Sequence, residues 1–193
     1  DSARKAGDSA VVASDSNCYV VVFRSVGRQE YATKDVRHIL FKVDESALDS
    51  EAETYEADLQ AAKDAAKTAA EDALAQWKAG EATEDSFAAL ANKLSEDPGS
   101  NTNGGLYKQV YKGQMVSEFN DWCFDPARQT GDTGIIHNES TGYHVMYFVG
   151  YDQPYWEIQV SADLVNDAVD TFYEEKTEGY TAEQSSFGMS FVG

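Results

Sequence analysis

Leu94-Ser95-Glu96-Asp97-Pro98-Gly99-Ser100, followed by Gly104-Gly105-Leu106, then Gly113-Gln114-Met115 and Phe119, is the stretch on which the reading of this chain turns. A residue ahead of proline is pushed out of the helical region, so Pro98 closes the preceding segment and holds Asp97 extended. Val36-Arg37-His38-Ile39-Leu40 stands upstream and Gly142-Tyr143-His144-Val145 downstream. An Asp-Pro-Gly turn or a lone strand histidine occurs in many folds. Blocks of this kind, kept in one order over about one domain length, are far more specific.

Working outward, Asp35 to Val43 is rich in β-branched and apolar residues and reads as a central strand, with His38 and Leu40 on one face and Ile39, Phe41 and Val43 on the other. From Leu48 the apolar positions run Ala52, Tyr55, Leu59, Ala62, Ala66, Ala69, Ala73 and Trp77, the three-four spacing of one helix face, which Gly80 ends. Such a stripe suits a coiled coil or, given its many alanines, a helix lying close on a sheet. Thr83 caps a second helix that turns Phe87, Leu90, Ala91 and Leu94 inward. A short third helix, Val116 to Phe124, aligns Met115, Phe119 and Cys123 on one face, which makes Cys123 a buried thiol. Leu106 to Tyr111, Ile135 to Asn138 and Tyr143 to Tyr151 complete four strands with the first. The fold class is therefore α+β, a four-stranded, mainly antiparallel sheet flanked by helices.

Composition narrows the function. The chain has 193 residues, 42% of them hydrophobic, which is room for one full domain plus extra elements. With 34 acidic against 15 basic side chains the net charge is -19, which disfavours nucleic acid and anionic membranes and is compatible with a basic or unfolded client. The same charge also serves simply to keep a secreted protein soluble. Cys18 and Cys123 are too few for a disulfide framework, and His38, His137 and His144 lack the spacing of a metal site, so no metal or cofactor is expected. No apolar run reaches the roughly 18 residues of a membrane span, and no signal-peptide core is present, so any anchor is expected outside this chain.

The ordered blocks resemble the parvulin-type peptidyl-prolyl isomerases, over Val36 to about Tyr151, and within that family the PrsA-like extracellular foldases of Gram-positive bacteria. The resemblance implies a parvulin-like fold and rotation of Xaa-Pro bonds in unfolded or partly folded polypeptides, at an extracellular or cell-surface location. It makes His38, Asp97 and His144 the catalytic residues and Leu106, Met115 and Phe119 the proline pocket. Read from residue types alone, the last three are equally ordinary core, and the histidines equally a scaffold satisfied by an acid. Where many relatives carry a hydroxyl residue five positions before the second histidine, this chain has Glu139, with Ser140 and Thr141 as nearby substitutes. Phosphate-directed relatives carry a basic cluster after the first strand. Here Lys42 is followed by Asp44, Glu45, Asp49, Glu51 and Glu53, so an unphosphorylated Xaa-Pro substrate is expected. The alternative is a catalytically weak or inactive chaperone on the same fold. Oligomeric state stays open, with a homodimer among the options.

Two segments flank the expected isomerase domain at 35–151. Residues 152–193 read as an amphipathic helix and tail, with Val160, Leu164, Ala168 and Phe172 spaced by four and nine acidic residues between Asp152 and Glu183 against Lys176. The helix is expected to dock by its apolar stripe on this domain or a neighbour. Residues 1–34 are expected to hold a hairpin. Residues 7 to 22 echo 131 to 146 without a gap: Gly7, Asp8, Ser16, Tyr19 and Val21 match Gly131, Asp132, Ser140, Tyr143 and Val145, Asp15 stands against Glu139, and Val20 stands opposite His144. This suggests the closing hairpin of a degenerate preceding unit, cut from a longer chain, that extends the main sheet or completes a partner molecule.

Overall fold

The computed structural model describes residues 3 to 180 except 15 and 47. The tail beyond Tyr180, with Glu183, and the echo position Asp15 lie outside the described residues. The elements run β1 (Ser9–Ala13), β2 (Cys18–Val22), β3 (Ala32–Phe41), α1 (Tyr55–Ala79), α2 (Glu84–Leu94), β4 (Leu106–Val110), α3 (Ser117–Cys123), β5 (Thr133–Asn138), β6 (Gly142–Pro154) and α4 (Tyr155–Thr177). The main sheet has the order β4-β3-β6-β5, and every neighbouring pair is antiparallel.

The pleat of the two central strands divides the core. On one face Ile39, Val145 and Tyr147 pack with Ala70, Ala73 and Trp77 of α1 and Phe87, Leu90 and Ala91 of α2. On the other, Val36, Met146 and Phe148 pack with Val110, Phe119 and Cys123, so α3 covers the face that also carries His38 and His144. The alanines of α1 serve close approach to the sheet, as Ala66, Ala70 and Ala73 are all buried. Trp77 closes the corner between α1 and α2. Its indole N–H donates to the Thr83 carbonyl at 2.9 Å, and its ring meets Phe87 and Tyr147 edge-on. Thr83 and Ser86 then cap α2 reciprocally.

One expectation is corrected and two lose one of their alternatives. Helix α1 begins at Tyr55, seven residues after Leu48, because the Asp49 carboxylate accepts the Glu51 N–H and holds a turn that competes with helix. Helix α4 lies against the rest of the chain at its N-terminal end, where Tyr155 stacks between Tyr31 and Tyr111 and Arg28 lies over Trp156. None of its residues is buried. The N-terminal hairpin forms, but as a two-stranded sheet of its own that does not extend the main one. Among the described residues no helix is long and apolar enough to cross a membrane.

Candidate active site

The site is built where the two central strands meet the turn after α2. His38 on β3 and His144 on β6 lie on the same sheet face, with Leu40 paired to His144 and His38 to Met146. Their rings stack at 5.2 Å between centroids, and their Nδ1 atoms lie 3.0 Å apart. Asp97 leaves the end of α2 in the geometry its proline imposes, and the Gly99 N–H binds one carboxylate oxygen at 3.1 Å. The other oxygen faces His38 Nε2 at 2.9 Å and accepts from the hydroxyls of Ser100 and, at 2.9 Å, Tyr107. On the far side, the Thr141 hydroxyl meets His144 Nε2 at 2.8 Å. The approach is tight enough to require glycine at 105: φ is +70°, and a Cβ there would collide with the His38 carbonyl, while the Gly105 carbonyl accepts from His38 N–H.

Proton positions follow from this network. Asp97 is held well below the usual carboxylate range, chiefly by its bond to His38, with Ser100, the Gly99 amide and Tyr107 adding to it against the opposing effect of burial. An ionised Asp97 only accepts, which puts a proton on His38 Nε2. Burial, helped by the neighbouring His38, lowers His144 to about 4, so its imidazole is neutral at ordinary pH. With His38 neutral, His144 Nδ1–H donates to His38 Nδ1, and Thr141 donates to His144 Nε2. With His38 cationic, both of those bonds reverse. A single proton added at His38 therefore re-aims the row as far as Thr141.

Beside this row opens a cleft of about 160 Å³, lined by His38, Leu40, Asp97, Tyr107, Met115, Val116, Phe119, Thr141 and His144. Phe119 stands edge-on to both histidine rings, at 5.5 and 5.9 Å. Leu106 does not line the cleft; Tyr107 does. Gln109 adopts a positive φ of 55° and the pairing of β4 slips, so Tyr107, rather than Leu106, shares the face of Val110. Ser140 bonds Asn138 and not the histidine, and Glu139 reaches outward to Lys63 at 2.8 Å. Ser100 and Tyr107 were missed as site residues. Ser100 lay within the quoted motif, but nothing in its neighbours distinguishes a buried hydroxyl from an ordinary turn serine.

The arrangement suits an amide better than a nucleophilic reaction. Burial pushes the Cys123 thiol up to about 12, so it supplies no thiolate, and Ser100 is a donor to Asp97 rather than a hydroxyl facing a free base. The cleft instead offers an aromatic ring and a thioether beside a polar row, dimensions and chemistry suited to a pyrrolidine ring and its preceding carbonyl.

The match to known proteins agrees with this chemistry. Residues 20–149 fit the family described as the PPIC-type PPIase domain, a rotamase family. The chain belongs to that family. The chain is 40% identical over 60 residues to Foldase protein PrsA 4 of Bacillus cereus, a stretch covering 31% of this chain and 21% of that protein. Among solved structures it is similar to the PrsA peptidylprolyl isomerase of Bacillus cereus, with 22% identity, a TM-score of 0.45 and coverage of 81% of this chain and 54% of that one. A structure from Campylobacter jejuni described as a SurA-like chaperone matches at 18% identity and a TM-score of 0.44, covering 80% of this chain and 57% of that one. The PPIase chain thus spans little more than half the length of these structures.

Proposed function

We propose that this protein catalyses cis–trans isomerisation of unphosphorylated Xaa-Pro bonds in extracytoplasmic client polypeptides, as a foldase. The observation that carries the reading is the continuous row Asp97–His38–His144–Thr141 set against the Phe119–Met115 cleft. Rotation about the amide faces a barrier of about 18–20 kcal/mol because twisting removes its double-bond character. As the bond twists, the nitrogen becomes more basic and the carbonyl loses conjugation. A row that can reverse its donors at no cost in bonds follows that change, while Phe119 and Met115 hold the ring and keep water away. Each 1.4 kcal/mol gained in this way gives about tenfold in rate.

Substrate sign follows from the adjoining groove, about 340 Å³, which shares Leu40 and Thr141 with the cleft and is lined by Lys42, Val43, Glu45, Glu139, Ser140 and Gly142. Glu139 neutralises Lys63, so a phosphate beside the proline would find Glu45 and only Lys42 to answer it. An extracellular or cell-surface location rests on likeness to PrsA proteins and agrees with the acidic surface.

Exchange NMR of Xaa-Pro peptides with catalytic amounts of protein tests the reading. Faster exchange, weakened in Asp97→Ala, supports it. No acceleration of any peptide by folded protein would move the assignment to a client-binding chaperone, the second reading, which the exposed Val160, Leu164, Val165 and Phe172 of α4 favour.

A further inference from the structure

Outside its connecting turn, the hairpin at residues 5–23 repeats, bond for bond, the segment that closes the isomerase domain. Lys5 N–H donates to the Asp8 carboxylate at 2.8 Å and Asp8 N–H to the Lys5 carbonyl at 3.0 Å; Gln129 N–H donates to the Asp132 carboxylate at 2.9 Å and Asp132 N–H to the Gln129 carbonyl at 2.9 Å. Gly7 and Gly131 follow at φ +94° and +91°. Gly7 N–H then donates to Phe23 and Phe23 N–H to Asp8, as Gly131 donates to Phe148 and Phe148 to Asp132. Ser9 faces Val22 and Val12 faces Tyr19, as Thr133 faces Tyr147 and Ile136 faces His144.

The connecting turn is one residue shorter in the first copy. An offset of 124 along the first strand therefore becomes 125 along the second, which corrects the ungapped echo: Tyr19, not Val20, occupies the place of His144. Val20 corresponds instead to Val145, and Phe23 to Phe148. A generic hairpin shares none of the preceding turn, and the agreement of turn, left-handed glycine and register argues for one ancestral unit.

The two copies differ in what covers them. Val145 is 0% exposed, beneath α1 and α2, and its strand pairs with β3 along its other edge; Val20 is 79% exposed, and the outer edge of β2 has no strand beside it among the described residues. Six apolar side chains of β1 and β2 lie open: Val11, Val12, Tyr19, Val20, Val21 and Val22. An isolated hairpin of this kind is marginal in water. The internal duplicate specifies what it lacks, a β3-like strand and the helices that accompany it.

We propose that β1–β2 is the closing hairpin of a second isomerase-like unit, completed by a β3-to-α3 segment joined ahead of Lys5 in the same polypeptide. The β3 of a second copy does not supply that strand, because it is already paired on both edges, with β4 and β6. With Tyr19 at the histidine position the completed unit has no histidine pair.

The chain itself supplies the test. Residues 31–128 are fused ahead of Lys5 of the 193-residue protein, and amide hydrogen exchange is read across β1 and β2. The expected result is at least a hundredfold slowing at residues 18–22 relative to the parent. A companion chimera replaces residues 129–148 of the domain by residues 5–23, and is expected to fold cooperatively around the transplanted hairpin. Unchanged hairpin exchange in the fusion together with a chimera that does not fold would overturn the proposal. So would slow exchange already present in the parent and dependent on its concentration, since a second copy would then be the occupant. Neither readout depends on isomerase activity.

Discussion

The imidazoles of His38 and His144 face each other through like atoms, Nδ1 to Nδ1 at 3.0 Å, so exactly one of the two carries a proton there in any bonded state. The tautomer of each ring is tied to that of the other through this shared position.

The pH dependence of stability follows from it. His144 titrates at about 4 in the folded protein against 6.5 ordinarily, because burial disfavours its cation. Between those values the unfolded chain binds a proton that the native state refuses. Stability is thus full above 6.5 and is lost as pH falls through 4, by about 3 kcal/mol for a shift of this size. In His144→Gln, thermal unfolding should lose most of its slope in this window. Asp97, held low, adds a separate loss only below its ordinary 3.8.

Asp97→Asn keeps the shape of the side chain but removes the anion that fixes the proton on His38 Nε2. The expected result is a fall in kcat/KM of tenfold or more, about 1.4 kcal/mol, measured by exchange NMR. Unchanged catalysis would assign Asp97 to scaffold.

Phe119 is buried and touches both histidine rings, so its truncation to alanine costs about 3–5 kcal/mol of stability and confuses folding with function. Phe119→Leu keeps much of the volume, and its stability cost is about 1.5 kcal/mol or less. With the ring edges gone, KM for an Xaa-Pro peptide should rise severalfold while the thermal midpoint moves little.

Tyr107 and Leu106 separate the observed cleft from the one expected by resemblance. Tyr107→Phe removes a donor to Asp97, costing about 1 kcal/mol, and should shrink the loss of stability below pH 3.8, since the carboxyl is then held less far below that value. Leu106→Ala should leave KM unchanged. The opposite pair of outcomes would restore Leu106 to the pocket.

Much of this site was legible because its residues announce themselves locally. Thr83 caps α2, Pro98 sets Asp97, and His38 and His144 sit in strands whose apolar neighbours disclose both faces. What escaped depends on irregularity. A bulge at Gln109 reverses which of Leu106 and Tyr107 faces the cleft, and no alternation pattern announces a bulge. The start of α1 was lost to a side-chain turn at Asp49, and the echo was misaligned because a turn one residue shorter looks ungapped when both strands are valine-rich. For α4 the apolar stripe was read correctly as a stripe, but periodicity alone names no partner.

The central pairing of β3 with β6 has a consequence for how this molecule comes into being. The two imidazoles are 106 residues apart in sequence, brought together only when the last strand slots beside the first of the sheet. Contacts of such separation form late and carry a large closure cost. On the proposed function a partly formed domain is therefore inert rather than weakly active, and a nascent chain acquires its site only after nearly all of the domain has emerged. Turnover, on that reading, doubles as a report that the protein's own folding has finished.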